Sequence, residues 1–307
     1  MTQSFNEVAL LWKAEKRKWV KDATYATYLQ HLKNHILPYF ASLPKIGEEQ
    51  IQGFIDLKAA EGKSPKSIRD MMLVIKMILR YGEKIQAWPR IEFEVHYPAK
   101  AELSPQLQVL SLRHQKQLLN YLMDSLSYRN AGILICLLGG LRIGEVSGLQ
   151  WKDIDMDAGI IRVRKTVQRI YLADGNDHRY FLSIGTPKTA TSVRDIPIPH
   201  ELMTRLKTLR KTADPEHFVV SNEAMPMEPR HIRNYYTHLL RQLGIPPLRF
   251  HALRHSFATR CIESGCEIKT VSAILGHASI STTLDLYVHP GLDEKKKAIE
   301  RMARSLR

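Results

Sequence analysis

Between His251 and Tyr287 the chain sets histidines, arginines and a tyrosine at ordered intervals. It reads His-Ala-Leu-Arg-His at 251–255, Leu-Gly-His at 275–277 and Leu-Tyr-Val-His-Pro at 286–290. A tyrosine hydroxyl is a nucleophile that can form a covalent intermediate. Arginine grips phosphate oxygens with a planar, permanently charged fork. Histidine exchanges protons near neutral pH. The set suits attack by a tyrosine on a phosphodiester whose charge is held by fixed cations. Free tyrosine titrates near ~10, so the nucleophile needs a base or a strongly cationic site. The leaving oxygen needs a proton, and the attack must be in line.

The spacing states how these groups are carried. His251, Arg254 and His255 stand at i, i+3 and i+4 and share a helix face. The run Ser256–Ile262 keeps the helical period as far as Gly265, a natural stop. Val271–Leu275 predicts a second short helix ended by Gly276, and Ser279–Thr283 the cap and first turn of a third, with Tyr287 near its end. Upstream, Gly139-Gly140-Leu141-Arg142-Ile143-Gly144-Glu145 brackets a short helix with Arg142 and Glu145 on one face. An arginine so placed also reads as a structural partner of Glu145. Lys188 falls in a turn, Thr186–Ser192, between two predicted strands, where a lysine is ordinarily just solvated; Arg194 is the nearest rival cation.

HALRHSFATR, LGHASISTT and LDLYVHP resemble the C-terminal signature of the tyrosine recombinases, the phage integrase family. The resemblance covers nearly the whole length. It implies that Arg142 and Arg254 are the two catalytic arginines and that Tyr287 is the nucleophile. It implies that His251 transfers protons, that His277 donates to the phosphate, and that Lys188 protonates the leaving 5′ oxygen from a hairpin. Glu145 would orient the site. The resemblance further implies a 3′-phosphotyrosine intermediate, a Holliday junction, no cofactor, and a homotetramer on double-stranded DNA with inverted-repeat half-sites. The same chemistry fits a type IB topoisomerase-like relaxing enzyme. A DNA-binding relative that has lost catalysis is a further alternative, disfavoured because every matched position is occupied.

Composition agrees with a DNA partner. The 307 residues are 44% hydrophobic and 25% charged, an ordinary globular balance long enough for two domains. The formal net charge of +14 and pI of about 9.6 favour a polyanion. Cys136 lies in an apolar run and reads as core. Cys261 and Cys266 lack a second ligand pair, which argues against zinc. Few and odd-numbered cysteines fit a reduced cytoplasm. No acidic cluster or HExxH pattern points to a two-metal nuclease, and no Walker-type loop points to a nucleotide. No run of about 18 apolar residues predicts a membrane span, and the N-terminus lacks a signal peptide's pattern.

Residues 1–96 read as helices only, a four-helix bundle similar to the SAM-like core-binding domain of the same family. Helical periods run through Phe5, Val8, Leu11 and Trp12, then from Tyr25 to Ile36, stopping before Pro38. A third covers Glu48–Glu61, with Ile51, Phe54, Ile55 and Leu57. A fourth opens at Ser64-Pro65. Lys16, Arg17, Lys18 and Lys21, with Lys63, Lys66 and Arg69, are candidate phosphate contacts; the bland alternative is a solvated helix face. Residues 97–107 lose the period and predict a linker. Residues 108–290 predict the catalytic domain, mainly α with a small antiparallel sheet (α+β), its strands at Ile160–Val167, Arg179–Gly185 and Val193–Ile198. Residues 291–307 predict an amphipathic tail, which in the family docks on a neighbouring protomer. The first helix starts close to Met1, so no arm-site domain is expected ahead of it.

Overall fold

The computed structural model describes residues 3–43, 45–99, 107–174, 177–187, 189–287, 296, 299–300 and 302–304. They divide into two units, Met1–Pro105 with Ile170–Phe181, and Gln106–Arg169 with Leu182–Arg307.

The first unit is a helical bundle. Helix α1 (Phe5–Arg17) starts at Ser4, whose hydroxyl accepts from Glu7 N while the Glu7 carboxylate accepts from Ser4 N at 2.7 Å. It buries Phe5, Val8, Ala9 and Trp12. Leu11, expected inside, is 45% exposed, because the stripe at i, i+3, i+4 and i+7 passes one residue to its side. Helix α2 (Asp22–His31) does not stop before Pro38 as its sequence suggests. It widens into a π turn over Leu32–Ile36 and resumes as α3 (Leu37–Phe40). Within that turn Leu37 N reaches back to Leu32 O, so the ladder changes register just ahead of the residue that has no N–H to give. Helices α4 (Glu48–Ala60) and α5 (Pro65–Lys84) complete the bundle around Trp12, Phe40, Phe54 and Ile75. Each such side chain contributes roughly 1.5–3 kcal/mol by leaving water.

After α5 the chain returns as an extended strap. Ile91, Phe93, Val95 and Tyr97 pack on the bundle, while Glu92, Glu94 and His96 face outward. Gln52 fixes its register by accepting from His96 N at 2.9 Å and donating to His96 O at 3.1 Å. The far part of a β-hairpin also belongs to this unit: Ile170 and Leu172 are buried with Tyr25, Ala26 and Leu29. The sequence predicts residues 170–181 within the 108–290 domain; by contacts they group with α2, whose apolar face they share.

In the second unit α6 (Leu112–Asp124), the buried α7 (Tyr128–Gly139) and the one-turn α8 (Ile143–Ser147) lead into the strands. β1 (Ile154–Asp155), β2 (Ile160–Val163) and β5 (Arg194–Pro197) form one antiparallel sheet, with Ile161 opposite Ile196 and Val163 opposite Arg194. β3 (Thr166–Asp174) and β4 (Asp177–Gly185) form a separate two-stranded sheet. The single strand expected over 160–167 is therefore two. Its break falls at Arg164, which donates to Arg194 O at 2.9 Å and pairs with Asp195 at 2.5 Å. β4 and β5 are not neighbours, so the 186–193 connection joins two sheets rather than closing a hairpin. Helices α9 (His200–Arg210), α10 (Pro229–Gln242), α11 (Ala252–Glu263), α12 (Ile268–Leu275) and α13 (Ile280–Tyr287) follow. Among the described residues no helix is long and apolar enough to cross a membrane.

Candidate active site

The site is built around a buried carboxylate. Arg142 is the N-cap of α8, and Glu145, three residues on, folds back so that its carboxylate accepts from Arg142 N at 2.9 Å and from Arg142 Nη1 at 2.8 Å. The same carboxylate takes a two-point bond from Arg194, at 3.1 and 2.9 Å. Burial alone would raise the Glu145 carboxyl. The hydrogen bonds and charge of Arg194, then those of Arg142, outweigh it and hold the group below its ordinary value, ionised at neutral pH. Arg142 keeps 37% of its side chain exposed. Arg194 is buried and also donates to Ile274 O and Ser192 O. Of the two cations only Arg142 presents a face to solvent.

Arg254 enters from α11. It is 1% exposed, and its two terminal nitrogens donate to Gly140 O at 2.9 Å and Leu275 O at 2.7 Å. It thereby ties the end of α7 to the end of α12. Burial first, then the charge of Arg142, lowers its pKa to about 9, so the guanidinium stays charged at neutral pH.

The histidines surround these arginines. His251 is the N-cap of α11, exposed on one side, with its ring edge-on to His255 at 4.6 Å between centroids. Partial burial, then the charges of His255, Arg254 and Arg142, pushes His251 down to about 4. His277 follows Gly276, whose φ of +65° ends α12. A Cβ on Gly276 would stand 2.8 Å from Thr191 O, so only glycine lets this corner approach the chain leading into β5. The His277 ring is fixed by Nδ1 against Thr283 Oγ1 at 2.8 Å, and Thr283 is fully buried. Burial, then Arg254 and Arg142, also pushes His277 down to about 4.

Tyr287 ends α13. Its hydroxyl lies 2.6 Å from His255 Nδ1. Burial raises the phenol, while Arg254 and Arg142 oppose the rise, which puts the hydroxyl within the field of both arginines. Burial and then Arg254 lower His255, so its imidazole is neutral at neutral pH; with the proton on Nε2, Nδ1 accepts from the tyrosine. On sequence His255 shares a helix face with His251 and Arg254 but carries no assigned role. The i, i+4 spacing of His251 and His255 was the available signal.

Arg142 and His251 also line an open groove with Arg169 on β3 and with Arg230, Arg233 and Asn234 on the first turns of α10. Lys188 lies outside the described residues, as does most of the 291–307 tail. In the first unit Arg17 pairs with Asp22 at 2.5 Å and stacks over Tyr25, and Lys18 pairs with Glu15 at 3.2 Å. Lys16 lies in the last turn of α1 and Lys21 is the N-cap residue of α2. Lys66 and Arg69 are exposed on the first turns of α5, Arg69 over the Tyr97 ring, and Lys63 is half-buried just before it.

Known proteins resemble the chain in sequence and fold over most of its length. The Phage integrase family matches residues 108–293, and the family's N-terminal SAM-like domain matches residues 4–58. The chain belongs to the phage integrase family, the tyrosine recombinases. It is 28% identical to a tyrosine recombinase XerC-like protein of Caldanaerobacter subterraneus subsp. tengcongensis, over 92% of this chain and 78% of the relative. It is 30% identical to tyrosine recombinase XerD of Listeria innocua, over 78% of this chain and 76% of that one. The solved structure of the Tn1549 transposon integrase in complex with a circular intermediate DNA shares the fold, with a TM-score of 0.72 and 22% identity over 96% of this chain and 99% of that one.

Proposed function

We propose that this protein is a site-specific DNA recombinase that cuts and rejoins strands through a 3′-phosphotyrosine intermediate. The observation that carries the reading is the Tyr287 hydroxyl, held against His255 within the field of Arg142 and Arg254. Tyr287 Oη attacks phosphorus, the bond to the 5′ oxygen breaks, and the DNA 3′ end is left esterified to the tyrosine. His255 Nδ1 takes the phenolic proton as the new bond forms. Arg142 binds a phosphate oxygen from its solvent face, and Arg254 supports the charge from beneath with the N–H groups that its carbonyl bonds leave over. His277 and His251 donate to the remaining oxygens once the phosphate's charge has raised their pKa values. Lys188, in the role that the resemblance gives it, protonates the departing 5′ oxygen. The 5′ hydroxyl of a partner strand then reverses the chemistry on the tyrosyl ester, so the bond energy is kept and no nucleotide is consumed. Two such exchanges through a Holliday junction, in a tetramer on inverted-repeat half-sites, complete recombination.

A nicked suicide duplex, whose cut end diffuses away, tests this. Wild-type protein accumulates a covalent adduct; Tyr287→Phe binds the duplex and accumulates none. Adducts at wild-type yield in that variant would falsify the assignment. Plasmid relaxation without strand transfer between duplexes would replace recombination by a topoisomerase-like activity.

A further inference from the structure

Cys261 and Cys266 lie at the corner where α11 gives way to α12, and the backbone there brings them together. Helix α11 closes in a Schellman motif: Cys266 N donates to Cys261 O at 3.0 Å, and Gly265 N donates to Ile262 O at 2.9 Å, with Gly265 at φ +83°. In that motif the side chains at the two ends of the outer hydrogen bond meet, normally as an apolar contact. Here both are cysteines, so the motif brings two thiol side chains to the same corner. Both are free thiols, Cys266 exposed and Cys261 half-buried.

We propose that Cys261 and Cys266 form a reversible intrachain disulfide, a modification site driven by low-molecular-weight disulfides such as glutathione disulfide. The exposed Cys266 thiolate attacks the small disulfide, forming a mixed disulfide and releasing one thiolate. Cys261 then loses its proton to solvent and attacks Cys266 Sγ, releasing the second thiolate. Two protein thiols are oxidised and one small disulfide is reduced to two thiols. The order follows from exposure. It is reinforced by burial, and then by Cys266 itself, which push the Cys261 thiol up to about 11 and leave it a poor first nucleophile. Cys136 takes no part, being fully buried in α7.

The pair sits where it can act on the chemistry. Cys261, Phe257, Ile262 and Tyr287 pack together against Ala258, Val271 and Leu275. α11 carries Arg254 and His255, and α12 ends at the corner before His277. Bridging the two sulfurs pulls the Cys261 and Cys266 side chains together, and the strain falls on the cluster that seats Tyr287. Oxidation therefore slows cleavage and reduction restores it. This last step rests on Tyr287 being the nucleophile; the disulfide itself does not.

The test equilibrates the full-length protein with graded mixtures of reduced and oxidised glutathione, blocks free thiols, and maps cysteines by mass spectrometry. The expected product is one peptide bridge between Cys261 and Cys266, reversed by dithiothreitol. Cys261→Ser should instead retain glutathione on Cys266, because the resolving thiol is gone. Persistent glutathione on wild-type Cys266 beside a free Cys261, or covalent dimers through Cys266, would overturn the proposal. Adduct formation on the suicide duplex is expected to fall several-fold on oxidation, with Cys266→Ser insensitive to the treatment. An unchanged rate in fully bridged protein overturns the link to Tyr287. Loss of adducts in reduced and oxidised protein alike would count against the nucleophile and leave the mapping result standing.

Discussion

The Tyr287 hydroxyl and His255 Nδ1 stand 2.6 Å apart, one on the last turn of α13 and the other one residue beyond Arg254 on α11. The proposed nucleophile and its proposed proton acceptor are thus in direct contact, beside Arg254. His255→Ala is expected to lower adduct formation by roughly a hundredfold at neutral pH, the scale of a lost general base. The loss should shrink as pH rises toward the phenol's own pKa and should be partly reversed by added imidazole. A uniform loss at every pH, with no rescue, would make the contact structural only.

Glu145 tests the hub. Glu145→Ala leaves the buried Arg194 guanidinium without its anion and removes two acceptors from Arg142. Breaking a buried pair by removing one partner costs roughly 3–5 kcal/mol. Glu145→Gln keeps an acceptor and should cost less. Urea denaturation of both variants measures the difference; equal and small losses would show that Arg194 finds other partners.

Acid should weaken the fold through the site histidines. His251 and His277 are pushed from 6.5 down to about 4, so between those values the unfolded chain binds more protons than the folded one. Stability is therefore full above about pH 6.5 and is lost as pH falls toward 4. Glu145, held below 4.5, adds its loss only further down. Melting temperatures taken at about pH 7, 6 and 5 should fall in order, and a His251→Gln, His277→Asn double variant should show a flatter series. Duplex DNA should blunt the wild-type fall, because phosphate favours the protonated rings; equal slopes with and without DNA would place the histidines away from the phosphate.

Lys188 is tested through the leaving group. Lys188→Ala should cleave ordinary DNA poorly and recover on a substrate with sulfur at the 5′-bridging position, since sulfur leaves without a proton. Failure of that substrate to rescue would remove Lys188 from the acid role. Arg194 is then a poor replacement, because its side chain is committed to Glu145 and two carbonyls.

Much of this could be read from one dimension. Glycine stops at 265 and 276 marked the ends of α11 and α12, and the apolar period marked their faces. What failed to show was whatever depended on partners far along the chain. The hairpin of β3 and β4 was missed at its centre because Ile170 and Leu172 answer to α2 and not to their own sheet. Arg194 looked like a rival catalyst because nothing local reveals that Glu145, 49 positions earlier, would claim it. The π turn before Pro38 was invisible because proline reads as a stop, and the ladder's change of register leaves no mark on composition.

Arg254 has a consequence for descent. Its guanidinium staples the ends of α7 and α12 through Gly140 and Leu275. Lysine could supply the charge but not the fork that spans both carbonyls. A lineage that abandoned cutting would still be held to this residue by folding, whereas Tyr287 and Arg142, at the rim, could drift. In silent descendants of such a protein, a surviving Arg254 would be no sign of surviving chemistry; the rim residues would be the ones to read.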